Sequence, residues 1–135
     1  MHARTALVIE EESGLRQLFS DVLGMEGIEV NAYASPEAYY QANGERWCRR
    51  DPCSCCDFML IDKRMRNMSG LGFLRTLEEA GCQLNCQRKA IISGDWGIED
   101  LEAAWKGGYK VLEKPCPIDA IIDWVEQADN QAKTL

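Results

Sequence analysis

The sequence is short of several things, and each shortage removes a class of function. It holds a single histidine, His2, so it offers no imidazole metal cluster and no internal histidine phosphodonor. Its apolar runs are brief, and none approaches the roughly 20 residues that a membrane-spanning helix needs. The opening stretch MHARTALVI lacks the basic region, apolar core and cleavage pattern of a secretory leader, which makes the cytoplasm the expected location. Basic charge is in deficit, with 15 Lys and Arg against 22 Asp and Glu and a net charge of −7. That balance repels phosphate backbones and anionic lipid, so neither direct nucleic-acid binding nor membrane binding is expected. Four prolines and no serine-rich tract leave nothing to act as a linker, and the 135 residues are expected to form one domain with its core over about residues 4–128 and a short polar tail. The tryptophans, Trp47, Trp96, Trp105 and Trp124, are too scattered for a base-stacking platform.

Cysteine, by contrast, is plentiful. Seven cysteines are an odd count in a chain with a well-stocked apolar core, which argues against a secreted disulfide scaffold. Cys48, Cys53, Cys55 and Cys56 precede one apolar run, and Cys82 and Cys86 precede the next. If those runs are neighbouring strands, six thiols approach one edge of a sheet, and four of them would suit Zn²⁺. The spacings match no standard zinc pattern, and small apolar side chains packed under loops are the alternative reading. Cys116 is expected to pack.

What remains is a fivefold alternation. Thr5–Ile9, Phe58–Ile61, Ala90–Ile92 and Val111–Leu112 are apolar runs too short for helices, which reads as strands buried on both faces. Ile28, Val30 and Ala32 alternate with polar residues, the pattern of a wetter edge strand. Between them, helical spacing appears at Leu15, Leu18, Phe19, Val22 and Leu23 behind a possible Ser13 cap, and again after Ser35-Pro36-Glu37. It recurs at Leu71, Leu74 and Leu77, at Ile98, Leu101 and Trp105, and at Ile118, Ile121, Ile122 and Val125. Buried strands alternating with amphipathic helices predict a doubly wound, five-stranded parallel sheet with helices on both faces. The order 2-1-3-4-5 of flavodoxin-like folds is adopted by analogy.

Ligands of such sheets bind outside the carboxyl ends of the strands. Four of those ends carry chemistry here: Glu10 and Glu11 after the first strand, Asp62 after the third, Ser93 after the fourth and Lys114 after the fifth. Three crowded carboxylates repel unless a cation joins them, and hard oxygen donors suit Mg²⁺. A lysine and a hydroxyl complete a phosphoryl site, the one as a point charge and the other as a hydrogen-bond donor.

In these motifs, LVIEEES, LIDKRMRNMSG, AIISGD and VLEKP, the chain resembles the receiver domains of two-component response regulators over nearly its whole length. The resemblance implies that Asp62 is the phosphoacceptor, with Ser93 as the switch hydroxyl and Lys114 before a usually cis-bonded Pro115. It places Mg²⁺ among Glu10, Glu11, Asp62 and the backbone carbonyl of Arg64. It implies a histidine kinase or histidine phosphotransfer protein as donor, possible self-catalysed phosphotransfer and autodephosphorylation, and a downstream protein reading the surface of the fourth helix, fifth strand and fifth helix. Trp105 and Tyr109 fall on that surface. Three positions depart from the family pattern: Glu10-Glu11 replaces the usual Asp-Asp or Glu-Asp, Val111 stands where an aromatic is common, and Arg66 stands where the loop often has proline. Lys63 and Arg64 add positive charge beside the acceptor, expected to offset the carboxylates or to replace the metal. The alternatives are a phosphorylation-independent pseudo-receiver, with the cysteines as metal or redox sensor, and a flavodoxin-like electron carrier. EEES has the wrong charge for a flavin phosphate.

Overall fold

Five parallel strands, β1 (Thr5–Ile9), β2 (Glu29–Tyr33), β3 (Phe58–Asp62), β4 (Lys89–Ser93) and β5 (Lys110–Glu113), pair in the order β2-β1-β3-β4-β5. The computed structural model describes residues 4–44 and 56–133. Helices α1 (Ser13–Met25), α2 (Pro36–Asn43), α3 (Gly70–Glu79), α4 (Ile98–Gly107) and α5 (Ile118–Lys133) alternate with the strands, and a 3-10 turn (Cys86–Arg88) leads into β4. Strand order and class are those expected.

Because neighbouring side chains of a strand point to opposite faces, β3 feeds two cores. Phe58 and Leu60 join Phe19, Val22 and Leu23 of α1 and Ile121, Trp124 and Val125 of α5, while Met59 and Ile61 join Tyr39 of α2 and Phe73, Leu74 and Leu77 of α3. Every residue of β3 and β4 is buried, whereas β2, at the edge, is mostly exposed. Phe58 meets Trp124 edge to face, with ring centroids 5.5 Å apart.

The helix starts are only partly as expected. Ser35 caps α2, its hydroxyl accepting from Ala38 N at 3.0 Å, with Pro36 at the first turn. Ser13 does not cap α1; it is the first helical residue, and Glu12 takes the cap position without a side-chain bond. The larger correction concerns α4. The spacing of Ile98, Leu101 and Trp105 predicts an inward face, yet Ile98 and Trp105 are 76% and 66% exposed, and Ala104 is the helix's buried residue. On α5, Ile118 is exposed and Trp124 takes a place in the core. Among the described residues no helix is long and apolar enough to cross a membrane.

Candidate functional site

Parallel pairing aligns the strand ends and so assembles the site. The register sets Asp62 beside Ile92 and Ser93 beside Glu113. Two bonds continue the ladder past the strands: Lys63 N donates to Ile92 O at 2.8 Å, and Lys114 N donates to Ser93 O at 2.9 Å. As a result Glu10, Glu11, Asp62, Arg64, Ser93 and Lys114, all six residues singled out in the sequence, line one cleft of about 320 Å³ together with Glu12, Gly94 and Asp95.

Asp62 lies at the end of the central strand, 5% exposed. Its Oδ1 accepts from Arg64 N at 3.2 Å and lies 3.5 Å from Lys114 Nζ. Burial, followed by the hydrogen bond and charge of Glu10, pushes the Asp62 carboxyl up to about 6, against the downward pull of Lys114 and Arg64 N. Burial alone would lower the Lys114 ammonium; Glu10 and Asp62 more than offset this and leave it raised.

Glu10 is buried at 1% exposure. Its Oε2 accepts from Glu12 N at 3.1 Å, and Lys114 Nζ stands 2.7 Å from Oε1 as an ion pair. That Oε1 is buried and accepts no aligned hydrogen bond from the described residues. Glu11 is exposed and engaged by the β3–α3 turn: its Oε1 accepts from Arg66 N at 3.1 Å, with the Arg66 side chain 3.9 Å off. The β1–α1 loop beneath the pair is braced by Arg16, which donates to the carbonyls of Glu10 and Glu11 at 2.8 and 3.2 Å.

The hydroxyl of Ser93 is engaged within its own loop, accepting from Asp95 N at 3.1 Å and donating to Asp95 O at 3.3 Å. The Lys114-Pro115 bond is cis, and Val111 is half-buried beside Ile91. Lys63 is a correction. It does not face the carboxylates; its buried ammonium donates to Asp95 O, pairs with Asp100 at 2.6 Å and lies 5.0 Å from the centre of the Trp96 ring. The Arg64 guanidinium pairs with Asp95. Sequence spacing signalled neither partner, since both are more than thirty residues away.

For the implied magnesium ion the donor chemistry fits. The carboxylates are hard oxygen ligands, and the buried oxygens of Glu10 and Asp62 that face the Lys114 ammonium show that the cleft already draws positive charge. Among the described residues, however, no three of His, Cys, Asp or Glu are already gathered as a metal-holding group, consistent with Glu11 being held by Arg66. The same finding leaves zinc without support. Cys48, Cys53 and Cys55 lie outside the described residues, as do His2 and Trp47. Cys56 and Cys82 are buried, and Cys86 and Cys116 are partly buried.

Gly70 belongs to the site through its backbone. A Cβ there would lie 2.4 Å from Asp62 O and 3.1 Å from Lys63 Cα, and Gly70 N donates to Lys63 O at 2.9 Å. The turn that presents Asp62 thus closes only on a residue without a side chain.

Comparison with known proteins agrees with this arrangement. The family model for the response regulator receiver domain matches residues 6–126. The chain is 29% identical over 126 residues to the C4-dicarboxylate transport transcriptional regulatory protein DctD of Pseudomonas aeruginosa, covering 90% of this chain and 24% of that protein. It is 25% identical over 130 residues to the transcriptional regulatory protein TdiR of Thauera aromatica, covering 94% of this chain and 52% of that one. The chain therefore spans about a quarter and about half of these relatives. The crystal structure of FixJ-N superposes with a TM-score of 0.73 at 25% identity, over 96% of both chains. The strand ends that gather Asp62, Glu10 and Lys114 are those of a known architecture, and the chain belongs to the receiver domains of two-component response regulators.

Proposed function

We propose that Asp62 accepts a phosphoryl group from the phosphohistidine of a histidine kinase or histidine phosphotransfer protein. The observation that carries this reading is the placement of Asp62, a buried carboxylate at the mouth of a polar cleft with an ammonium 3.5 Å away. In the transfer the P–N bond of the donor breaks, an O–P bond forms to an Asp62 carboxylate oxygen, and the donor imidazole leaves. Lys114 pairs with the phosphoryl oxygens as a point charge, leaving part of its hold on Glu10, and Arg64 N fixes the orientation of the acceptor. Ser93 turns from Asp95 to donate to the phosphoryl group. Glu10, Glu11, Asp62 and the Arg64 carbonyl would hold Mg²⁺, which when bound supplies charge neutralisation for the incoming phosphoryl oxygens. Hydrolysis of the acyl phosphate by water returns the carboxylate, so the chain acts on itself rather than as a conventional enzyme.

The output surface in this reading is α4, β5 and α5, where Ile98, Trp105 and Ile118 stand exposed. Large apolar side chains left in solvent on these helices fit a protein partner, and the net charge of −7 fits a protein better than nucleic acid. One domain over residues 1–135, working in the cytoplasm, completes the proposal.

The test is incubation with acetyl phosphate and Mg²⁺ followed by intact-mass spectrometry. A single added phosphoryl group, labile at alkaline pH and missing in Asp62→Asn, is expected. No adduct, with magnesium shown not to bind, would make the chain a pseudo-receiver acting by protein contact alone.

A further inference from the structure

Glu11 stands in the wall between two cavities. It lines the cleft with Glu10 and Asp62, and it also lines a second cavity of about 460 Å³ with Ala34, Pro36, Met65 and Arg66. Its carboxylate is held from the second side, since Arg66 N and Arg66 Nε approach the same oxygen, Oε1, at 3.1 and 3.9 Å. We propose that Arg66 latches Glu11 away from Asp62 and so sets how tightly the site takes a divalent cation. The proposal rests on reading Glu10, Glu11 and Asp62 as the cation's carboxylates.

Three observations argue for it. Glu10 is fixed, buried at 1% exposure with Oε2 on Glu12 N and Oε1 paired with the Lys114 ammonium at 2.7 Å. Asp62 is fixed by its strand and by Arg64 N at 3.2 Å. Glu11 is the exposed member of the three, so a cation that gathers them must draw Glu11 from Arg66. The β3–α3 turn makes this a competition, because alternate backbone donors, Arg64 N and Arg66 N, each serve one of the carboxylates.

The two parts of the latch are unequal. The Arg66 side chain is 89% exposed, so its ion pair is screened by solvent and weak. The backbone N–H is a charge-assisted donor in a defined direction and is the larger part. Arg66→Ala removes the weak part alone. Arg66→Pro removes both, because proline has no N–H.

The experiment is a Mg²⁺ titration of wild type and the two variants, read by tryptophan fluorescence and calorimetry, with no phosphodonor present. Arg66→Ala is expected to tighten binding by less than about threefold. Arg66→Pro is expected to tighten it by roughly tenfold or more, as loss of a hydrogen bond to a charged group implies. In wild-type protein the Arg66 amide proton, followed by NMR, should move upfield with the Mg²⁺ midpoint as Glu11 leaves it. That readout stands even if Arg66→Pro fails to fold. Equal affinities in all folded variants, or an Arg66 amide that does not move while Mg²⁺ binds, would overturn the latch and leave the phosphoacceptor reading intact. If neither variant nor wild type binds Mg²⁺, the carboxylates are not a cation site and the latch falls with that reading; the acetyl phosphate experiment then judges Asp62 separately.

Discussion

Asp62 is held under electrostatic strain by its burial and by the neighbouring Glu10. The Asp62 carboxyl, pushed up to about 6 from an ordinary 3.8 by burial and then by Glu10, binds a proton more readily in the folded chain than in the unfolded one. Folding stability from this group is therefore fully present below about pH 4 and is lost as pH rises to about 6. Metal-free Asp62→Asn should be more stable than wild type at pH 8 by about 1–3 kcal/mol, with the difference shrinking toward zero near pH 4. Urea unfolding at the two pH values measures it, and a constant difference would show that the charge is relieved some other way. Gly70 gives a second prediction at this scale. A methyl group forced against the Asp62 carbonyl must shift the turn, so Gly70→Ala should cost about 1–3 kcal/mol. It should also slow phosphorylation by acetyl phosphate, whereas Gly72→Ala, facing the side chains of Ser69 and Met68, should do so far less. The polar strand exits were legible in the sequence because each sits directly behind an apolar run. The Gly70 approach, the Arg16 brace and the Arg66–Glu11 bond were not, since each depends on how loops distant in sequence or folded back on themselves come together.

Helices α4 and α5 show why helical spacing alone misplaces a face. Ile98, Leu101 and Trp105 have the period of a buried stripe, but α4 is anchored by a single small residue, Ala104, and by polar contacts at its ends. At its first turn Asp100 pairs with Lys63. Beyond its last turn, closed by Gly108 in the left-handed conformation, Tyr109 donates to Glu78 at 2.6 Å. A lone alanine gives little apolar signal, so the larger exposed side chains dominated the pattern. On α5 the reverse holds, because Trp124 is buried between Phe58 and the turn before β4, its indole N–H donating to Gln87 O at 2.8 Å. Trp124→Ala should therefore cost about 3–5 kcal/mol, and Trp105→Ala should stay within about 0.5 kcal/mol of wild type. Urea midpoints compare the two directly. A large loss at Trp105 would mean that α4 packs by the face the sequence suggested.

For the whole molecule, the sheet does the organising. Two cores of opposite strand parity clasp the sheet from its two faces, and the strand register delivers residues from positions 10 to 114 into one cleft. At the other end of the sheet Arg4 and Arg88 both reach Asp129, tying the start of β1 and the turn before β4 to α5. Alternation of short apolar runs with amphipathic helices made the five-unit architecture readable, while the strand order needed likeness to known folds, since periodicity does not say which strand lies beside which. The central claim is that this assembly makes one carboxylate, Asp62, the acceptor. The direct test is to treat the protein with acetyl phosphate and Mg²⁺, reduce it with borohydride, which converts an aspartyl phosphate to homoserine, and map the peptides. Homoserine at position 62 and nowhere else is the predicted result; reduction at Glu10, Glu11 or Asp95, or none at all, would contradict it.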